Sequence, residues 1–242
     1  MATTSSPANQ SLCDLLSTAT PTTIAEVIAQ MQAIDALLPA NDGLKWFNRM
    51  YLMVTQQVDE NPPAGAWQNP AWLLRLDVDF AALYFIAVRD SAFGKPVPSA
   101  WQALFDARFC TGIDRIQFAL AGMNAHINHD LALALNNTAA DMNLIPTDDG
   151  PEHHDFEAVN TILDNLMPAT LQMLATDVLG ELAQDTGKIG RLLAFWNICA
   201  ARDLAWGFAE HLRTLNGIAK DVALAAQDAM TGALGRAMLF GM

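Results

Sequence analysis

This sequence predicts an all-α fold, a multi-helix bundle in a single domain, on three observations. Apolar residues recur at the spacing that gathers them on one helical face, and the alternation of a half-buried strand is scarce. Residues able to satisfy the free amides of a first helical turn stand directly before the periodic segments. Proline and glycine separate one periodic segment from the next. The chain has 242 residues, 52% of them apolar, enough for one large core.

Thr23 and Glu26 form a capping-box pattern that opens a helix running to about Leu38, where Pro39 stops it. A second helix starts near Asp42 and ends before Asn61, Pro62 and Pro63. Asn69 at the N-cap and Pro70 at the first position open a third, which reaches about Arg89. Because it is apolar around most of its circumference, it is expected at the centre of the bundle. A short helix follows Pro98 and breaks at Thr111-Gly112. The next spans about Ile113 to Asn136, before a polar loop to Pro151. Helices follow over about Asp155–Met167, Pro168–Gln184, Ile189–Leu215 and Ile218–Leu239. Residues 1–22 read as a flexible tail or loosely docked arm, and residues 23–242 as the helical domain.

Charge narrows the partners. A formal net charge of −13, with no Lys/Arg cluster, disfavours nucleic acid and anionic membrane surfaces. The longest apolar stretch, Phe80 to Val88, is about half of what a bilayer crossing needs, so no transmembrane helix is expected. The first ten residues lack the pattern of a secretory signal. Cys13, Cys110 and Cys199 are widely spaced and suggest neither a zinc knuckle nor a disulfide framework, which fits a cytoplasmic protein.

The informative residues are polar side chains inside apolar arcs, since burying them costs free energy unless they are paired. Residues 121–131 read AGMNAHINHDL. Leu120, Ile127, Leu131 and Leu135 form an apolar stripe on this helix, and Asn124 and Asn128 lie within it, one turn apart. His126 and Asp130 lie one turn apart on the next face, beside His129. Such a group orients a ligand or performs acid–base chemistry; alternatively, the Asn pair bonds to neighbouring helices and His126–Asp130 is a surface pair.

Asp77 shares a helix face with Leu73, Phe80 and Tyr84 and has no local partner, whereas Asp79 is in register with Arg75. A carboxylate among apolar groups is suited to donating a proton or binding a cation. His153 and His154 stand between Glu152 and Asp155 near a helix start. On the helix from Ile189, Asn197 and His211 fall in the apolar arc, and Arg202, Asp203 and Trp206 form a polar–aromatic group; cap or interhelical hydrogen bonds are the expected explanation for these.

The AGMNAHINHDL stretch and the helical pattern around it, from about Thr23 onward, resemble a bacterial family of all-helical proteins of unknown function. The resemblance implies the fold and the place of the motif, and no activity. His126 and Asp130, four residues apart, are also similar to a ligand pair of zinc-dependent phospholipase C and P1-type nucleases. That group uses more histidines and a metal-binding N-terminus than this chain offers. The similarity therefore implies at most one divalent ion, held by His126 and Asp130 with His153 or His154.

These features point to an enzyme acting on a small lipophilic substrate between helices, a metal-dependent hydrolase or a cofactor-free cyclase or isomerase. His126, Asp130 and Asp77 are the candidate catalytic residues. Asn124, Asn128, Trp72, Phe80, Tyr84 and Trp206 are candidate substrate contacts. Two other readings stand beside it: a non-catalytic binding protein for such a molecule, and a helical scaffold or homodimerisation domain.

Overall fold

The computed structural model describes residues 7–17, 20–63, 65–175 and 197–241. The described residues are helical with no strand. Among the described residues ten α-helices follow in chain order: α1 (Pro7–Leu16), α2 (Ile24–Leu37), α3 (Leu44–Glu60), α4 (Pro70–Ala92), α5 (Ser99–Ala107), α6 (Arg115–Ala125), α7 (Leu131–Asp141), α8 (Pro151–Ala175), α9 (Ile198–Thr214) and α10 (Gly217–Phe240). A π-helical segment, π1 (His126–Asp130), joins α6 to α7 without a break.

The caps are where the sequence places them. Thr23 accepts the Glu26 amide, and the Glu26 carboxylate takes the amide and hydroxyl of Thr22. Asn69 accepts the Trp72 amide, with Pro70 at the first helical position. Asn197 makes the cap bond expected of it: it is the exposed N-cap of α9 and accepts the Ala200 amide. His211 is likewise exposed.

Four expectations need correction. The presumed N-terminal tail contains α1, which buries Leu12, Cys13 and Leu16 against α4 and α2. Burial of these apolar side chains offsets the entropy of ordering a short segment. The central helix is α6 rather than α4: residues 116–127 are all buried, whereas α4 leaves Leu74 and Ile86 exposed. Helix α7 continues to Asp141, shortening the expected loop. Pro168 lies inside α8 rather than dividing two helices. It and Asp164, four residues earlier, both face solvent, so water can take up the carbonyl that proline leaves free. The expected boundary near Gln184 and the helix start at Ile189 lie outside the described residues.

The rod α6–π1–α7 is the axis on which the other helices pack. Helices α3 and α8 lie against α6, α5 and α10 cover another side, and α4 and α9 flank α7. Buried polar ties fix these positions. Asp155 accepts the amides of Gln68 and Asn69, and Glu152 accepts the Asn69 side chain, joining the starts of α4 and α8. Asp228 of α10 accepts the amides of Ser99 and Ala100 and so caps α5 from another helix. Gly232 lets α10 approach Ser99, whose carbonyl oxygen would lie 2.6 Å from an added Cβ.

Candidate functional site

Residues 126–130 do not keep the α-helical ladder. The amide of Leu131 bonds back five residues to the carbonyl of His126, so π1 carries one extra residue in its turn. Single-turn π segments recur at functional sites because the insertion re-aims side chains within an otherwise rigid helix. Here the re-aimed turn holds His126, Asn128, His129 and Asp130.

His126 is 1% exposed. Its ring stacks on Phe80, with centroids 3.5 Å apart and planes 6° off parallel. Tyr51 lies 4.5 Å away, and Phe47, Trp101 and Tyr84 complete an aromatic cage. Nδ1 lies 3.0 Å from Asp130 Oδ2, which also accepts the Trp101 indole N–H at 2.9 Å. Asp130 Oδ1 lies 2.7 Å from His129 Nδ1. A carboxylate can only accept, so the His126 proton resides on Nδ1 and Nε2 carries the lone pair. That Nε2 is buried and has no hydrogen-bond partner.

Burial of the His126 ring lowers its pKa, against the pull of Asp130, and favours neutral imidazole. Burial would raise the Asp130 carboxyl, but the hydrogen bonds from His126 and His129 outweigh it and hold Asp130 ionised. The expectation of a surface His–Asp pair is therefore not met. The cage itself was not legible locally, because Phe47, Tyr51 and Trp101 come from α3 and α5 with no shared spacing.

Asp77 presents a second unpartnered buried atom, Oδ2. Burial lifts its pKa to about 7, with Arg202 pulling down and Asp59 pushing up. Arg202 is engaged elsewhere: it bonds to Asn160 and to the Phe156 carbonyl and lies over the Phe156 ring. Tyr51 feels the charges of both Asp77 and Asp130. Its hydroxyl is held well above its usual range, first by burial and then by the charges of Asp77 and Asp130.

The raised Asp77 pKa fixes a sign. The folded state binds this proton more tightly than the unfolded chain, so its contribution to stability declines as pH rises from about 4 through about 7. Asp77→Asn is expected to melt higher than the parent at pH 8 and to lose that advantage at pH 4. Thermal unfolding of both proteins across this range checks it; an advantage independent of pH would show that Asp77 is not the titrating group.

The remaining expected contacts are distributed otherwise. Phe80 and Tyr84 belong to the His126 cage, and the Tyr84 hydroxyl donates to Asn48. Trp72 and Trp206 pack on each other in a separate cluster with Phe156 and His153. The Trp206 indole donates to Asp148, and the Trp72 indole N–H has no partner. Asn124 donates to the Thr231 carbonyl, Asn128 donates to Asn124, and Gln227 donates to the Asn128 carbonyl. These bonds tie π1 to α10.

His153 rests on Trp206 beside the Asp148 carbonyl, and His154 is exposed. Neither joins the His126 cage. No group of three or more His, Cys, Asp or Glu side chains among the described residues is arranged to hold a metal ion. No helix among them is long and apolar enough to cross a membrane.

An apolar groove open to solvent runs between α3, α6 and α8. Met50, Val54, Leu120, Met123, Leu166 and Met167 are among its walls, and Thr170 is the one polar side chain lining it among the described residues. It shares α3 with the His126 cage, where Met50 precedes Tyr51 in sequence, and its wall residue Met123 lies three residues before His126.

No curated protein and no solved structure matches the chain. One family model does, over residues 24–240, which includes the whole of the π segment and its cage. The chain therefore belongs to DUF5995, a family of unknown function.

Proposed function

We propose that this protein is an enzyme that binds a small lipophilic molecule between its helices and acts on it by acid–base chemistry. His126 Nε2 is the base and Asp77 the proton donor. One observation carries the reading: the ring of His126 is oriented by Asp130 through Nδ1, while its opposite nitrogen is buried with no partner. A buried polar atom without a partner costs about 1–3 kcal/mol, and a purely structural histidine has no reason to carry that cost.

The division of roles follows from the environments. Neutral imidazole takes a proton at Nε2, from an activated water in hydrolysis or from carbon in cyclisation or isomerisation. Asp77, protonated up to about pH 7, gives its proton to the developing oxyanion or leaving oxygen. The groove lined by Met50, Met123 and Met167 suits the apolar part of the molecule. We assign Asn124 and Asn128 to packing against α10, since their amide N–H groups are already donated within the protein. None of these steps needs a metal ion. The three free thiols suit the reducing cytoplasm, where we place the protein.

The test uses p-nitrophenyl esters of two- to twelve-carbon acids, and deuterium uptake from D2O into 2-undecanone followed by NMR. The parent protein should accelerate one of these reactions. His126→Gln should lose at least about 100-fold of that rate, with a melting temperature within a few degrees of the parent. If none of the probes is turned over and none raises the melting temperature, the enzymatic reading falls. If His126→Gln simply unfolds, the aromatic cage is a packing device.

The opposing reading, a helical scaffold, draws support from the closed ring cage and from the Asn124–Thr231 seam. It predicts that His126→Phe is stabilising and leaves every probe response unchanged.

A further inference from the structure

Asp130 does not serve His126 alone. Its second oxygen lies 2.7 Å from His129 Nδ1, and the far nitrogen of His129 lies 3.7 Å from Asp228 Oδ1 on α10. The four side chains form a row, His126–Asp130–His129–Asp228, leading outward from the core. Their exposure rises in that order, from 1% and 3% to 13% and 24%.

We propose that His129 is a positioning residue: held as an imidazolium between Asp130 and Asp228, it neutralises the Asp130 carboxylate and so works with burial to keep His126 a neutral base. The inference rests on the acid–base reading of His126, but its own evidence is the geometry of the row.

A carboxylate buried beside His126 with nothing to balance it would favour imidazolium there, and an imidazolium has no lone pair with which to take a proton. A cation on the other oxygen of the same carboxylate opposes that pull. His129 is placed for this role: burial disfavours its charge, but the hydrogen bond to Asp130 and the charges of Asp130 and Asp228 outweigh burial and raise its pKa. The charge of His129 in turn opposes protonation of His126. Of the elements packed on π1, namely α3, α4, α5, α6, α7, α9 and α10, α10 alone brings a charge to bear on His129 among the described residues, through Asp228.

The arrangement depends on the π turn, which turns two histidines onto one carboxylate while Asn124 and Gln227 fasten that turn to α10. Asp228 thus has two tasks, capping α5 and holding the charge of His129.

The experiment is a ¹⁵N NMR titration of the histidine rings in the full-length protein, which needs no substrate. In the parent, His129 should titrate above the ordinary histidine range, and His126 should stay neutral, with its proton on Nδ1, down to about pH 5. His129→Gln keeps a hydrogen-bond donor for Asp130 but removes the charge, so the His126 midpoint should rise by about one to two pH units. His129→Lys restores a cation and should return the midpoint towards the parent. Asp228→Asn should lower the His129 midpoint.

The proposal is overturned if His129 in the parent titrates below the ordinary range, a result that does not depend on any variant folding. It is also overturned if His126 titrates identically in the parent and in His129→Gln. A failed probe reaction with the predicted titration would remove the enzymatic reading and leave this charge coupling standing.

Discussion

Arg108→Met is expected to destabilise the protein by about 3–5 kcal/mol. Arg108 and Asp42 are 5% and 0% exposed, and their charged groups meet through two hydrogen bonds, of 2.9 and 2.5 Å. Asp42 also accepts the Leu44 amide at the start of α3, and the Arg108 carbonyl accepts the Gly43 amide. The pair therefore locks the end of α5 to the start of α3, the helix that carries Phe47 and Tyr51 into the His126 cage. Removing the guanidinium leaves a buried carboxylate without its counterion, which is far more costly than losing an exposed pair. Adding Asp42→Asn to Arg108→Met should recover part of the loss, because no charge is then stranded while one oxygen still caps α3. Urea unfolding of the parent, both single variants and the double variant measures this; losses that simply add would show that the two side chains are not coupled.

Gly122→Ala should cost about 1–3 kcal/mol by overpacking, even though alanine is the better helix former by about 1 kcal/mol. A Cβ at position 122 would lie 2.4 Å from Cγ and 2.5 Å from Cβ of Phe47. The clash falls at the root of the Phe47 side chain, so a rotamer change cannot relieve it and α3 must move away from α6. Phe47 contacts Tyr84, Trp101 and His126, with centroids 5.0, 5.3 and 5.7 Å apart, so the shift should pass into the cage. Thermal unfolding and the ring-proton shifts of His126 together test this. An unchanged melting temperature with unchanged His126 resonances would mean that the helices have room to spare.

Several features of this protein follow from local sequence. The fold class does, because helical periodicity and end-capping act within a few residues: Thr23 and Asn69 cap their helices whatever the rest of the chain does. The His126–Asp130 pair is local too, since side chains four residues apart meet on one helix. So is the anomaly of Asp77, an unpartnered carboxylate on an apolar face.

Tertiary structure decided what these residues face. Tyr51, Phe47 and Trp101 enclose His126 from other helices, and an anionic Asp228 nearly a hundred residues along the chain reaches His129. The π turn was also beyond sequence reading, because it exchanges one regular hydrogen-bond ladder for another within an unbroken helix and leaves no capping or breaking residue to mark it. Trp72 and Trp206 share aromatic character with Phe80 and Tyr84, yet they gather around Phe156 instead. Composition states that a side chain will be buried; which partners it is buried against depends on the angles at which helices cross, and no segment of this chain encodes those angles by itself.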